Sequence, residues 1–292
     1  MTEGALILGG KSLSAALRDT LAVEVAEFTS RRGRKPGLAV VIVGEDPASQ
    51  IYVRQKARAC EQVGMHSLVD RLPIDTSQET LLARVRELNG DDRFDGILVQ
   101  LPLPAQIREE AVIEAVSPRK DVDGFHPVNL GNLLLDRPGC VPCTPLGIMK
   151  ILEHYDVDPA GMEAVVIGRS HIVGKPLALL LLRKNATVTL CHSRTGNLAR
   201  HTRRADLIVA AVGKAGLLKP DMVKRGAVVI DVGINRLEGK KIAGDADFEG
   251  LLPLVRAITP VPGGVGPMTI TMLLSNTLQA ARRGQGGTAV PS

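Results

Sequence analysis

Apolar residues recur along this chain in two alternating rhythms, one with the three-and-four spacing of a helix face and one in short unbroken runs. Leu13, Leu17, Leu21 and Val25 share one face of a predicted helix over 12–30. Residues 38–43 are all apolar and are closed by Gly44, as a buried parallel strand reads. Asp46-Pro47 then signals a helix start. A weaker strand follows near 67–72, a helix over 78–88, a second buried strand over 96–101 and a short helix over 109–116. Between Asp121 and Pro145 the rhythm breaks into Gly, Pro, Asn and Asp, which reads as an interdomain passage and a ligand cleft. Thr144 as N-cap and Pro145 as first helical residue open a helix to Tyr155.

The second half repeats the alternation. Strands are predicted over 164–168, 186–191, 207–212 and 227–232, with helices over 175–184, 197–205 and 219–224 between them. This is the rhythm of a Rossmann-type nucleotide domain. A last helix runs from about Pro267 to Arg282, and the tail over 285–292 reads as disordered. Arg31, Arg32, Arg34 and Lys35 around Gly33 read as a basic helix end rather than a nucleic-acid patch. The whole is an α/β fold of two domains, each a parallel sheet with helices on its faces. A length of 292 residues agrees with about two domains.

Composition narrows the function class. Hydrophobic residues make up 45% and charged residues 23%, as in a packed globular protein. Aromatics are only 2%, with no Trp, so the core is aliphatic and no stacking platform for nucleic acid exists. A net charge of +5 is too small to argue for nucleic acid but suits an anionic ligand. No apolar run approaches the ~18 residues of a membrane span, and no secretory leader is visible. Four cysteines in so long a chain are not a disulfide framework, which points to a reducing, cytoplasmic setting.

The chemistry starts on the helix after Pro47. At 100° per residue, Ser49, Tyr52, Val53, Lys56, Cys60 and Val63 share a stripe, with Arg54, Gln55, Arg58, Glu61 and Gln62 opposite. A lysine inside an apolar stripe is costly unless it is paired or releases its proton, although its head can also reach water. Gln100 ends a buried strand, where α/β ligand sites lie, and can face Lys56; a capping amide is the alternative. Asp121 and Asp123 flank Val122 before Gly124. Turn chemistry accounts for such a pair, a metal lacks further ligands, and Asp123 is preferred as an acid facing a ligand amine. Cys140 and Cys143 have half-site spacing but no second pair, so no metal is expected.

The turn Gly168-Arg169-Ser170-His171-Ile172-Val173-Gly174 joins a strand to a helix, where helix N–H groups can hold phosphate. Its spacing departs from G-x-G-x-x-G because Ser170 stands at the second glycine. The next strand ends in Cys191-His192-Ser193-Arg194-Thr195, with no acid for a ribose hydroxyl, which favours the 2′-phosphate of NADP. Val232-Gly233-Ile234-Asn235 ends another strand with a glycine that lets a ligand approach. Thr259 to Thr269, including Pro262, Gly263 and Gly264, is stiff and closely approached by something, a ligand or the domain seam.

Together these stretches resemble the bifunctional methylenetetrahydrofolate dehydrogenase/cyclohydrolase family, the bacterial FolD type. The matching segments are ASQIYVRQKARACEQVG, DGILVQLPLP, KDVDGFHPVN, PCTPLGI, VVIGRSHIVGKP, VTLCHSRT, VIDVGIN, GDADF and TPVPGGVGPMT, spread from about residue 48 to residue 269. Ile51 stands where Thr is usual and Ala246 where Val is usual. The resemblance implies a folate-binding catalytic domain over 1–122 plus about 267–284, an NADP-binding domain over 143–266, and a cleft between them. It implies a homodimer, tetrahydrofolate derivatives as substrates, NADP as cofactor and no metal, in one-carbon metabolism and purine biosynthesis. Lys56 is implied as the key group of the cyclohydrolase step, Gln100 as its tuner, Tyr52 and Ser49 beside the folate, and Asp123 on the pterin ring. Pro262, Gly263 and Gly264 are implied on the substrate side. Gly168, Arg169, Ser170, Ile172, Val173, Gly174, Ser193 and Ile234 are implied on the cofactor, with Arg169 and Ser193 at its 2′-phosphate.

A mechanism follows as an expectation. Oxidation of the one-carbon bridge makes a cation, and two unit charges ~4 Å apart repel by about 4 kcal/mol at an effective dielectric of about 20, so an uncharged amine serves best. A Tyr-x-x-x-Lys pair also occurs in short-chain dehydrogenases, but there the glycine loop precedes the pair, and here it follows. A non-catalytic nucleotide-binding protein is the other alternative, and it has no use for Lys56, Gln100 and Asp123 together.

Overall fold

The computed structural model describes residues 4–237 and 242–284. In chain order the elements are β1 (Leu6–Ile7), α1 (Gly10–Arg32), β2 (Gly37–Val43), α2 (Pro47–Gln62), β3 (His66–Leu72), α3 (Gln78–Gly90), β4 (Gly96–Val99), α4 (Glu109–Ala115), α5 (Pro127–Leu134) and α6 (Cys143–His154). Then come β5 (Glu163–Ile167), α7 (Gly174–Arg183), β6 (Thr187–Cys191), α8 (Leu198–Thr202), β7 (Leu207–Ala210), a 3-10 turn (Pro220–Met222), β8 (Val228–Asp231), β9 (Asn235–Arg236), β10 (Ile242–Ala243), α9 (Phe248–Leu251), β11 (Ala257–Ile258) and α10 (Val265–Arg283). The chain divides into two compact units, with the divisions falling inside α1, after the first residue of α6 and inside α10.

One unit holds residues 16–143 and 270–284 and a three-stranded parallel sheet of order β3-β2-β4. Every residue of β2 is buried, which is why it reads as an unbroken apolar run. Leu81, Val85 and Leu88 of α3 pack on Ala39, Val41 and Val43 of β2 and on Ile97 of β4. Asp46 caps α2 by accepting from the Ser49 amide at 2.7 Å, and Pro47 sits at the first helical position. α1 ends at Arg32, and Gly33 takes the left-handed conformation (φ +68°) that closes it. Arg34 then clasps Asp95 in a bidentate pair (2.8 and 2.6 Å), and Asp95 also accepts from the Gly37 amide, which registers β2 against the start of β4.

The other unit holds residues 4–15 and Thr144–Thr269 and a six-stranded parallel sheet of order β1-β11-β8-β7-β5-β6. From β5 the chain passes to β6 on one side and then to β7 on the other. The carboxyl ends of β5 and β7 are therefore the point where strand order reverses and ligands bind in such sheets. Val165, Ile167, Ile208, Val229 and Ile258 form its core.

Four expectations are corrected. The first residues do not join the three-stranded unit: Leu6 and Ile7 pair with Ala257 and Ile258, and the Tyr155 hydroxyl donates to Gly9 O at 3.0 Å. A two-residue strand with exposed side chains carries no periodic signal. The segment between Asp121 and Pro145 contains α5, opened by Pro127 and capped by His126 Nδ1, which accepts from the Val128 amide. α6 begins at Cys143, so Thr144 lies within it, and its hydroxyl meets Thr269 Oγ1 at 3.0 Å instead of capping. The expected helix over 219–224 is only a 3-10 turn. The tail over 285–292 lies outside the described residues.

Candidate active site

α2 presents its stripe as its spacing requires. Ser49, Val53, Lys56, Cys60 and Val63 are buried, while Arg54, Gln55, Arg58, Glu61 and Gln62 are exposed. Tyr52 is the exception at 36% exposure. It stands about 60° to one side of Ser49, at the flank of the stripe, so its ring faces outward where a ligand can cover it. Lys56 is only 9% exposed, and its Nζ donates to Gln100 Oε1 at 3.0 Å. The Gln100 amide donates in turn to Leu101 O at 2.7 Å, which orients the acceptor toward the lysine. Gln100 follows β4, with its backbone N–H bonded to Val41 O of the central strand, so the sheet itself sets the acceptor's position.

Asp123 completes this group. Burial raises its carboxyl above the ordinary value, and the nearby Lys56 charge pulls the other way. It borders an apolar recess lined by Val99, Leu101, Ile113 and Phe125. Its neighbour Asp121 serves the turn: its carboxylate accepts from the amides of Gly124, Phe125 and His126 and from Asn129 Nδ2. Asn276 of α10 donates to Val122 O at 2.8 Å and to Val141 O at 2.9 Å, and the Cys143 thiol also donates to Val122 O. Asp123 thus sits in a segment tied down on both sides. Neither Asn276 nor Cys143 was singled out from sequence for this task, because nothing local marks a helix asparagine as a clamp. Among the described residues, no group of three or more His, Cys, Asp or Glu side chains is placed to hold a metal.

The remaining expected residues lie in the six-stranded unit, all at carboxyl ends of its strands: the Gly168–Gly174 turn after β5, Ser193 after β6, Ile234 after β8, and Pro262, Gly263 and Gly264 after β11. The turn is tight. A Cβ on Gly174 would stand 1.9 Å from Gly168 O, and one on Gly168 would stand 2.2 Å from Ala211 O. Ser170 is part of the turn's own structure, since its hydroxyl accepts from the amides of Val173 and Gly174 at 3.1 and 3.2 Å. Those first amides of α7 are committed internally, and Arg169 and Ser193 stand exposed beside them. Ile172, Val212 and Ile234 are large apolar side chains left exposed at the same edge. Glycines without room for a side chain, exposed apolar residues, a guanidinium and hydroxyls fit a dinucleotide that carries an extra phosphate. Gly263 O accepts from the amides of Gly10 and Lys11, so the close approach in that segment is by the start of α1.

The family model described as the tetrahydrofolate dehydrogenase/cyclohydrolase catalytic domain matches residues 8–123, and the one for the NAD(P)-binding domain matches residues 142–285. The chain belongs to the tetrahydrofolate dehydrogenase/cyclohydrolase family. It is 59% identical over 280 residues to a bifunctional protein FolD of Polaromonas naphthalenivorans, covering 96% of this chain and 99% of that one. Its fold matches the crystal structure of the bifunctional FolD enzyme of Campylobacter jejuni at TM-score 0.94 and 51% identity, over 96% of this chain and 99% of that one. The FolD of Trypanosoma brucei, solved with NADP cofactor and an inhibitor, matches at TM-score 0.93 and 38% identity, over 97% and 99%.

Proposed function

We propose that this chain oxidises 5,10-methylenetetrahydrofolate to 5,10-methenyltetrahydrofolate with NADP and then hydrolyses the product to 10-formyltetrahydrofolate. The observation that carries this reading is the Lys56 amine, held on the apolar stripe of α2, bonded to Gln100 and beside Asp123. The Campylobacter jejuni relative, named for both activities, supports it.

Bound nicotinamide supplies the hydride acceptor. On the protein side, Arg169 and Ser193 would hold the 2′-phosphate, the Gly168–Gly174 turn would leave room for the pyrophosphate, and Ile172 and Ile234 would offer apolar surface to the cofactor. Tyr52 lies flat against the folate, Ser49 adds a hydroxyl on the same side, and Asp123 accepts hydrogen bonds from the pterin. Pro262, Gly263 and Gly264 border the substrate. In the hydrolytic step water adds to the bridge carbon and Lys56 takes one of its protons. The bond from that carbon to N5 then breaks, Lys56 returns a proton to N5, and the formyl group stays on N10, with one proton released overall. Gln100 keeps the amine aimed at the bridge throughout. We further propose that the chain works as a cytoplasmic homodimer and feeds one-carbon units to purine biosynthesis.

The test is a two-stage assay. Methylenetetrahydrofolate and NADP are mixed with the protein, and reduced nicotinamide is followed first, then loss of the methenyl compound. Formation of reduced cofactor without folate turnover, or neither signal, would reject the proposal. Accumulation of the methenyl compound in a Lys56 variant supports it.

A further inference from the structure

Two buried carboxylates at the cofactor edge are used by no step above. Asp245 is 0% exposed and Asp231 is 3% exposed. Asp245 Oδ2 accepts from the backbone amides of Val212 (2.7 Å) and Gly213 (3.0 Å), and its Oδ1 accepts from the Lys214 amide (2.8 Å) and Asn235 Nδ2 (2.9 Å). Three successive amides after β7 thus converge on one carboxylate. Such a row of N–H groups is an anion-binding concavity, and here the protein fills it with its own acid. Asp231, the last residue of β8, accepts from the amides of Gly233 (2.9 Å), Asp245 (2.8 Å) and Ala246 (2.8 Å). Its own amide donates to Thr259 Oγ1 at 2.7 Å, just after β11.

The space around the pair is closed. A Cβ on Gly233 would stand 2.2 Å from Asp245 Oδ1, and one on Gly244 would stand 1.9 Å from Asp231 Oδ2. The pair therefore joins the exits of three neighbouring strands, β7, β8 and β11, into one rigid rim. The residues carried on that rim are Val212 and Ile234, both exposed apolar side chains at 40% and 48%. Two large apolar side chains held side by side at strand exits suit a rim that receives a flat ring.

We propose that Asp245, braced by Asp231, is a positioning residue that sets the exits of β7 and β8 to receive the cofactor. This rests on the placement of NADP at this edge. The isosteric Asp245→Asn variant isolates the role. An amide has one acceptor oxygen, so whichever way it turns, two of the four donors face an NH2 group.

The expected result for Asp245→Asn is a rise of about tenfold or more in KM for NADP, with kcat changed less. Cyclohydrolase activity, assayed on the methenyl compound without NADP, stays within about twofold because Lys56, Gln100 and Asp123 lie in the other unit. Arg169→Ala is measured beside it. An unchanged KM in Asp245→Asn with a raised KM in Arg169→Ala overturns the brace and leaves the cofactor edge standing. An unchanged KM in both overturns the cofactor edge and the brace with it. A proportional loss of both activities with a lowered melting temperature makes Asp245 a stabiliser only and also overturns the proposal. If Asp245→Asn does not fold, Asn235→Ala, which removes one donor from the same carboxylate, decides: a severalfold rise in KM for NADP supports the brace, and no change overturns it.

Discussion

Replacing Lys56 by methionine removes the amine and keeps the apolar stem. The side chain is 9% exposed and lies on one stripe with Val53 and Cys60, both at 0%. Methionine fits that stripe, so no cavity opens. The loss is one hydrogen bond, the 3.0 Å contact with Gln100 Oε1. Leaving that oxygen without its donor costs about 1–3 kcal/mol, and removing a polar head from an apolar stripe offsets a comparable amount. Stability therefore moves by about 1 kcal/mol, or roughly 2–4 °C in melting temperature. Activity moves far more. A positioned acid–base group contributes about 10²–10⁴-fold, which is about 2.7–5.4 kcal/mol of barrier.

Hydrolysis of the methenyl compound without NADP, followed by its absorbance, is expected to fall by at least about a hundredfold, while the thermal melt stays near wild type. Lys56→Arg sharpens the test. Arginine keeps a donor for Gln100 but is a permanent cation in proteins and cannot take up a proton from water. It is expected to be as inactive as methionine. Substantial hydrolysis by Lys56→Arg would mean that the site needs charge and not proton transfer, and the reasoning would fail.

Arg169→Ala removes a charge-assisted contact worth about 1.5–3 kcal/mol, so KM for NADP should rise by roughly 10–150-fold while KM for NAD stays close to its starting value. An equal rise for both cofactors would refute the assignment to the 2′-phosphate. Burial pushes Asp231 up to about 6 from 3.8, against three backbone donors that lower it. The folded chain therefore holds that proton more tightly than the unfolded chain. Its stabilising contribution is present near pH 4 and is lost as pH rises through about 6, by up to about 3 kcal/mol. Urea unfolding of wild type and Asp231→Asn across this window should show that difference, and a gap between them that does not change with pH would refute it. Burial pushes the Cys60 thiol up to about 12, the Cys140 thiol to about 11 and the Cys143 thiol well upward. None of the four buried free cysteines is then expected to react quickly with a disulfide reagent in native protein, and all four should react after denaturation.

Local order was largely legible in the amino-acid sequence. The unbroken run in β2 and the stripe of α2 each record how one element is buried, and burial follows directly from spacing. Lys56 and Gln100 could be paired in advance because one lies on a stripe facing the sheet and the other at a strand's carboxyl end. The strand-to-helix context of the Gly168–Gly174 turn was also legible, from the apolar run before it and the helical spacing after it. Other features depended on partners far away in the chain. Leu6 and Ile7 gain a place only by pairing with Ala257 and Ile258. Tyr52 shared the stripe by angle, but the depth of packing at its flank, which no helical wheel contains, left it exposed. Nothing local marks Asp231 or Asp245, because burial of a carboxylate is determined by donors that converge from elsewhere, such as the Val212 and Gly213 amides on Asp245. Periodicity reports which face of an element turns inward. Only the assembled chain decides which distant amides, side chains and strand ends meet there, because those contacts are set by tertiary packing and leave no local trace.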